Sequence, residues 1–355
     1  MSELLKIQAV HTFRLSIPFK TGAVSAPGSG DKVENIIVSL DTDTGLVGWG
    51  CAAFSAADAE FGYETIREKL APPLMESFSA PVGKILESIS KIAPDNPAAR
   101  AALDIAVHDL WGKQLSASLT SVLGSYRTSF VTSASIGACG LDESVGLAGK
   151  YVETGFKALK LYCGDDAEHE IERVKAIKKE HASVAVRLCS GGFNAKNAKK
   201  IIDALAGDIE LFEQNITDKN IDEFAKLAAE SAVPVVFGGS VSNSAGALSI
   251  FQKGFQLINL KLMDCGGVAE AMRICNIAQT LGKKIVIGSM EEIPISMGAA
   301  AHLALSHPAI AYAELDGYLN LDQHAASNGI VIENGMVLVV DRPGLGVEIR
   351  KKYLR

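Results

Sequence analysis

From residue 130 to residue 315, short apolar runs alternate with longer stretches of helical periodicity. Runs such as FKALKLYCG (156–164), VAVRLCSGG (184–192), IELFEQ (209–214), VPVVFGGS (233–240) and INLKLMDCGG (258–267) are close to continuous in apolar residues, as in strands buried on both faces. The pattern predicts strands at 130–136, 157–162, 184–189, 209–213, 234–238, 257–262, 284–288 and 311–315. Helices are predicted at 142–154, 166–180, 194–206, 219–231, 242–253, 267–282 and 294–307. One strand about every 25 residues favours a closed α/β barrel over an open doubly wound sheet. The ends of the runs converge on the barrel face that carries chemistry, and supply Lys160, Tyr162, Cys189, Glu213, Gly238, Gly239 and Lys261.

The N-terminal part reads differently. Residues 5–18, 34–42 and 45–52 have strand character, with Asp43 and Gly45 in a tight turn. Residues 21–32, TGAVSAPGSGDK, form a small, polar loop expected to be mobile. Helical periodicity follows through 59–77, 82–91 and 97–116, the last opened by Asn96 as cap and Pro97 in the first turn. The chain divides into an α+β module at 1–125, completed by 326–355, and a barrel at 126–325. The tail GIVIENGMVLVVDRPGLGVEI (329–349) returns to strand and turn character and is expected to fold back on the first module.

Composition narrows the partners. A net charge of −7, with 48% hydrophobic and 21% charged residues, fits a compact soluble protein and argues against nucleic acid as main partner. No apolar run approaches the roughly 18 residues of a membrane span. The N-terminal residues lack a secretory apolar stretch, so a cytoplasmic location is expected. The six cysteines show neither CxxC nor a disulfide framework, which favours reduced thiols.

Several segments carry a resemblance in order along nearly the whole chain: AARAALDIAVHDLWGK (98–113), INLKLMDCGG, AAAHLALSHPAI (299–310), ELDG (314–317) and PGLGVE (343–348). They resemble the muconate-lactonizing subgroup of the enolase superfamily, and within it the dipeptide epimerases. The resemblance implies an α+β capping domain over a modified (β/α)8, TIM-like barrel. It also implies a small-molecule ligand whose carboxylate binds a divalent metal, usually Mg²⁺. Two lysines on opposite faces then remove and return the α-proton, giving racemisation, epimerisation, cycloisomerisation or elimination. The metal matters because the α-proton of a carboxylate is very weakly acidic, and a Lewis acid stabilises the developing dianion.

Against that pattern the chain departs at the metal site. The first metal carboxylate of the family falls on Cys189, the second on Glu213 and the third on Gly238; Gly239 replaces the acidic residue that follows. Mg²⁺ prefers hard oxygen ligands, so neither cysteine nor glycine substitutes well. The paired-lysine motif reads Lys160-Leu161-Tyr162, with tyrosine in place of the acid/base lysine, while Lys261 is retained. Cys51 stands where the family usually has a glutamate in the cap. Three carboxylates with one divalent cation, and Glu213 alone without one, carry the same formal charge of about −1, so joint loss avoids a buried excess. No tightly bound Mg²⁺ and no other cofactor is expected.

Other residues follow from the same resemblance. Glu314 and Asp316 stand where an Asp-x-Asp pair binds the ammonium group of a dipeptide. Glu292 matches a family glutamate after the seventh strand and is grouped with Glu314 and Asp316 as substrate-binding; Glu291 also reaches the rim. Glu213 is expected to pair with Lys160 or Lys261, and His108, Trp111, His302 and His307 to pack.

The leading expectation is a metal-independent relative of the dipeptide epimerases. It binds a small ammonium-bearing or peptide-like ligand between the 21–32 loop and the barrel mouth, with specificity set by the 21–32 and 51–62 loops. Lys261 is the base if the ligand turns over, with Lys160 and Tyr162 stabilising the anion. Two further readings stay open: a non-catalytic ligand-binding protein, and a thiol or soft-metal enzyme using Cys51, Cys139, Cys163 and Cys189. By family resemblance, a homo-oligomer is common for such barrels.

Overall fold

The structure, a computed structural model, describes residues 4–20, 31–76, 80–322 and 325–354. Most of the 21–32 loop therefore lies outside the described residues. In the N-terminal domain, strands β1 (Ile7–Pro18), β2 (Lys32–Thr42) and β3 (Val47–Phe54) form an antiparallel sheet in that order. The turn between β2 and β3 holds Gly45 at φ 79°, a conformation that favours glycine. Helices α1 (Ala59–Glu64), α2 (Ala71–Glu76), α3 (Val82–Lys91), α4 (Pro97–Gln114) and α5 (Leu119–Leu123) complete it. The single helix expected at 59–77 is instead interrupted by a π-helical turn, Thr65–Leu70.

Small residues let α4 lie directly on β3. A Cβ at Gly50 would stand 1.8 Å from the Ala102 carbonyl oxygen, and one at Gly48 would stand 2.4 Å from that of Ala106. The glycines of GWG and the alanines of α4 are thus two sides of one contact, and Asn96 caps the helix as expected by accepting from Ala99 N–H at 3.0 Å.

The barrel contains β4 (Ser133–Ile136), β5 (Ala158–Tyr162), β6 (Ala185–Ser190), β7 (Leu211–Gln214), β8 (Val235–Phe237), β9 (Leu257–Leu260), β10 (Lys284–Ile287) and β11 (Ile310–Ala313). All are parallel and paired in sequence order. Closure between first and last falls to Thr132, which bridges Ala313 and accepts the Leu315 N–H at 2.9 Å. Helices follow the strands: α6 (Leu141–Glu153), α7 (Ala167–Glu180), α8 (Ala195–Ala204), α9 (Ile221–Glu230), α10 (Ser244–Gln252), a short α11 (Leu262–Cys265), α12 (Val268–Thr280) and α13 (Pro294–Ser306).

The strand expected at 130–136 is two elements. Phe130–Val131 pairs with Met336–Leu338, which also pairs with Val331–Glu333, and only then does β4 enter the barrel. The tail folds back as expected: Leu345 N–H donates to buried Asp109 on α4 at 2.8 Å, and Leu119 N–H donates to Gly344 O at 2.8 Å.

Side-chain alternation sets the barrel interior. Leu211, Val236, Leu257 and Val286 form a small apolar cluster with Tyr312, separate from the main core. Two residues further along each strand the same face is presented again. Those next positions are Glu213, Gly238, Asn259, Gly288 and Glu314, so an apolar plug passes upward into a polar floor.

Candidate functional site

Above that floor, the C-terminal ends of the strands and the N-terminal domain enclose a cavity of about 950 Å³. Its walls include Lys160, Tyr162, Cys189, Glu213, Gly238, Lys261, Glu314 and Asp316 from the barrel; Lys32, Phe54 and Asp58 come from the N-terminal domain. Eight residues singled out in the sequence therefore meet in one place.

The centre of the floor is a buried charge cluster. Lys160 Nζ donates to Glu213 Oε2 at 2.9 Å and to Glu314 Oε2 at 2.5 Å. Asn259 Nδ2 donates to the same two oxygens at 2.9 and 3.2 Å. Burial alone would pull the Lys160 ammonium down, but the acidic groups around it outweigh burial and hold it protonated. Lys160 and Lys261 likewise outweigh burial at Glu213 and keep it below the usual carboxylate range. Glu314 goes the other way, raised by burial and then by Glu213, and its Oε1 is buried without a hydrogen-bond donor.

Lys261 differs from Lys160. It follows β9 directly, and its nearest carboxylate partner is Asp264, at 3.9 Å. Tyr162 stands beside Lys160, whose Nζ lies 5.5 Å from the ring centre. Burial pushes the Tyr162 hydroxyl well above its ordinary value, so it stays protonated. The Cys189 thiol is raised for the same reason, helped by Glu213. Gly238 leaves no room for a side chain: a Cβ there would stand 2.8 Å from Glu213 Cγ and 2.7 Å from Gln214 O. Asp316 accepts from Ser135 N–H at 2.7 Å and from Ser135 Oγ at 3.1 Å.

Three expectations need correction. Glu292 does not wall the cavity; it is buried behind the rim loop and accepts the Met290 N–H at 2.9 Å. Burial raises it to about 7. Cys51 is buried where the N-terminal sheet meets the barrel: its Sγ donates to Asn35 Oδ1 at 3.4 Å and lies beside Ser296 of α13 and Glu292. Cys139 contacts Ser144 Oγ behind α6, so of the four cysteines grouped in the sequence only Cys163 and Cys189 reach the cavity. Among the described residues no cluster of three or more His, Cys, Asp or Glu side chains is arranged to hold a metal. Of the two pairings expected for Glu213, that with Lys160 is the direct one.

Residues the sequence reading passed over also matter. Asn259 ties both carboxylates to the floor; its alternation with Lys261 in INLKL was the available signal. Asp104 accepts Val268 N–H at 2.6 Å at the start of α12, and Asp109 accepts Trp49 N–H at 2.8 Å, so α4 joins sheet, barrel and tail. No helix among the described residues is long and apolar enough to cross a membrane.

Comparison with known proteins agrees with this architecture. Residues 7–124 match the mandelate racemase / muconate lactonizing enzyme N-terminal domain, and 143–353 match the enolase C-terminal domain-like family. The hydrophobic dipeptide epimerase of Enterococcus faecalis is 32% identical, covering 97% of this chain and 99% of that protein. The L-Ala-D/L-Glu epimerase of Clostridium acetobutylicum is 30% identical over 94% of this chain and 96% of its own length. Among solved structures, the substrate-liganded L-Ala-D/L-Glu epimerase of Bacillus subtilis superposes with a TM-score of 0.90 at 29% identity, covering 96% of this chain and 98% of that one. The Enterococcus faecalis dipeptide epimerase complexed with Mg and L-Leu-L-Tyr gives a TM-score of 0.90 at 30% identity, covering 97% and 99%. A barrel with its α+β cap, matched end to end by such relatives, belongs to the enolase superfamily, in its muconate-lactonizing subgroup and on the dipeptide-epimerase-like side of it.

Proposed function

We propose that this chain is a divergent, isomerase-like member of the family that binds a small, ammonium-bearing, peptide-like ligand without Mg²⁺, with Lys261 as its single available base. The ligand class is carried over from relatives described as dipeptide epimerases. The observation that carries the reading is the contrast between the two lysines: Lys160 is bonded to two carboxylates, while Lys261 reaches the cavity with its nearest carboxylate partner at 3.9 Å.

The residues at the family's metal positions do not fit Mg²⁺. That ion demands octahedral oxygen donors. Burial raises the Cys189 thiol, Gly238 offers no side-chain donor and no space for one, and Glu213 is already bonded to Lys160 and Asn259. Epimerisation by two bases also needs a proton acceptor opposite Lys261, and a protonated Tyr162 can only donate there. Lys261 alone removes an α-proton and returns one to the same face, which exchanges hydrogen without inverting the centre. Lys160 and Tyr162 donate toward the anion formed. Asp316 and Glu314 make the floor acidic where an ammonium group would sit, and Glu292 supports the rim loop that covers it.

The test is α-proton exchange in D₂O, followed by NMR over a panel of dipeptides, with chelator, with Mg²⁺ and with Lys261→Ala. Exchange that survives chelator, proceeds without epimerisation and vanishes in Lys261→Ala is expected. Exchange that requires Mg²⁺ would overturn the reading. The lack of a second base also favours a purely ligand-binding role, and saturable dipeptide binding with no exchange would select that role.

A further inference from the structure

The charge cluster on the floor is an ammonium held between two carboxylates. Lys160 is 5% exposed, Glu213 and Glu314 are each 4% exposed, and the amide of Asn259 spans the same two oxygens. A lysine ammonium has three N–H donors. Two are taken by Glu213 Oε2 and Glu314 Oε2, at charge-assisted distances of 2.9 and 2.5 Å, leaving one on the side of Tyr162 and the cavity. A side chain added at Gly238 would press on Glu213 where it bonds Lys160, since a Cβ there would stand 2.8 Å from Glu213 Cγ and 3.0 Å from Glu213 Oε1.

We propose that Lys160 is the resident cation of this site: its tethered ammonium does for Glu213 and Glu314 what a dissociable metal ion does for the carboxylates of the family, and so makes the floor indifferent to divalent ions. The inference rests on the cluster geometry and not on whether Lys261 exchanges protons. Its physical logic is electrostatic. Two carboxylates taken out of water need a cation within contact distance, and a side chain cannot be lost to chelation or dilution. It follows that cutting the tether leaves a vacant cation site of known shape.

Lys160→Ala removes three methylenes and the ammonium, the outline of propylammonium. The protein with this change is expected to be less stable than the native chain. Propylammonium should raise its melting temperature saturably, by about 2 °C at tenfold excess over its dissociation constant. Neutral 1-propanol should not. The native protein should show no saturable rise with Mg²⁺ and should retain no stoichiometric metal after dialysis.

A Lys160→Ala protein as stable as the native chain, or one that propylammonium does not stabilise, would overturn the proposal. So would saturable stabilisation of the native protein by Mg²⁺. Should Lys160→Ala fail to fold, Lys160→Ala/Glu314→Gln strands one charge fewer and is read the same way. Should both fail, the Mg²⁺ titration of the native protein decides. None of these measurements uses a ligand, so failure here is separable from failure of the exchange experiment.

Discussion

Restoring a carboxylate at position 238 is the direct challenge to a metal-free floor. A Cβ there would stand 2.7 Å from Gln214 O, 2.8 Å from Glu213 Cγ and 3.0 Å from Glu213 Oε1. The first of these atoms also accepts the Gly238 N–H at 2.8 Å, a rung between β7 and β8. Backbone retreat therefore lengthens a ladder bond, and retreat of Glu213 breaks its contacts to Lys160 and Asn259, both 2.9 Å. Overpacking of this kind costs about 1–3 kcal/mol, and a weakened hydrogen bond adds roughly 1 kcal/mol. Gly238→Ala should then lose about 2–4 kcal/mol, and Gly238→Asp more, because a third carboxylate joins two that already share one ammonium. Urea denaturation of both variants, with and without millimolar Mg²⁺, measures this. Mg²⁺ is expected to restore neither. The reasoning is refuted if Gly238→Ala is neutral within about 0.5 kcal/mol, or if Gly238→Asp is stabilised by Mg²⁺.

Further expectations concern the joints around the site. Glu292 titrates at about 7 when folded, against 4.5 for the free group, so the folded protein holds a proton that the unfolded chain has released. Stability must therefore fall as pH rises from 4.5 through 7, by at most about 3 kcal/mol. Glu292→Gln should flatten that slope in melting curves taken across this range, and an unchanged slope would exclude Glu292 as its source. Asp109→Ala strands the N–H groups of Trp49 and Leu345, while Lys113 keeps Val47 O. A loss of about 2–5 kcal/mol is expected in chemical denaturation, and a loss below about 1 kcal/mol would show that water replaces the carboxylate.

Much of this architecture was legible because it is periodic. Runs buried on both faces announce parallel strands, and their order along the chain gave the barrel its sequence of neighbours. Alternation along INLKL places Asn259 and Lys261 on the interior, and the same alternation marks Glu213 and Glu314. What strand periodicity does not encode is depth behind a loop. Glu292 lies beyond β10, where the chain turns back under Met290, so a rim position in sequence became a buried one. Cys51 shows the same limit: α4 covers the Gly48 and Gly50 face of β3, and the opposite face, which carries Cys51, is covered by Ser296 of α13, far away in sequence. The split of 130–136 was hidden because both halves are strands and differ only in partner. Asp104 and Asp109 looked like ordinary helix residues, since their partners lie in distant segments.

The bond from Leu345 to Asp109 joins residues 236 positions apart. At a synthesis rate of about 5–20 residues per second, Asp109 leaves the ribosome roughly ten to fifty seconds before the amide that satisfies it. During that interval the N-terminal domain carries an open seam along α4 and α5, and it is sealed only when Gly344 and Leu345 arrive. The nascent chain thus delays this lock until the whole barrel has been made, and a chain broken off before that point leaves Asp109 without its Leu345 partner.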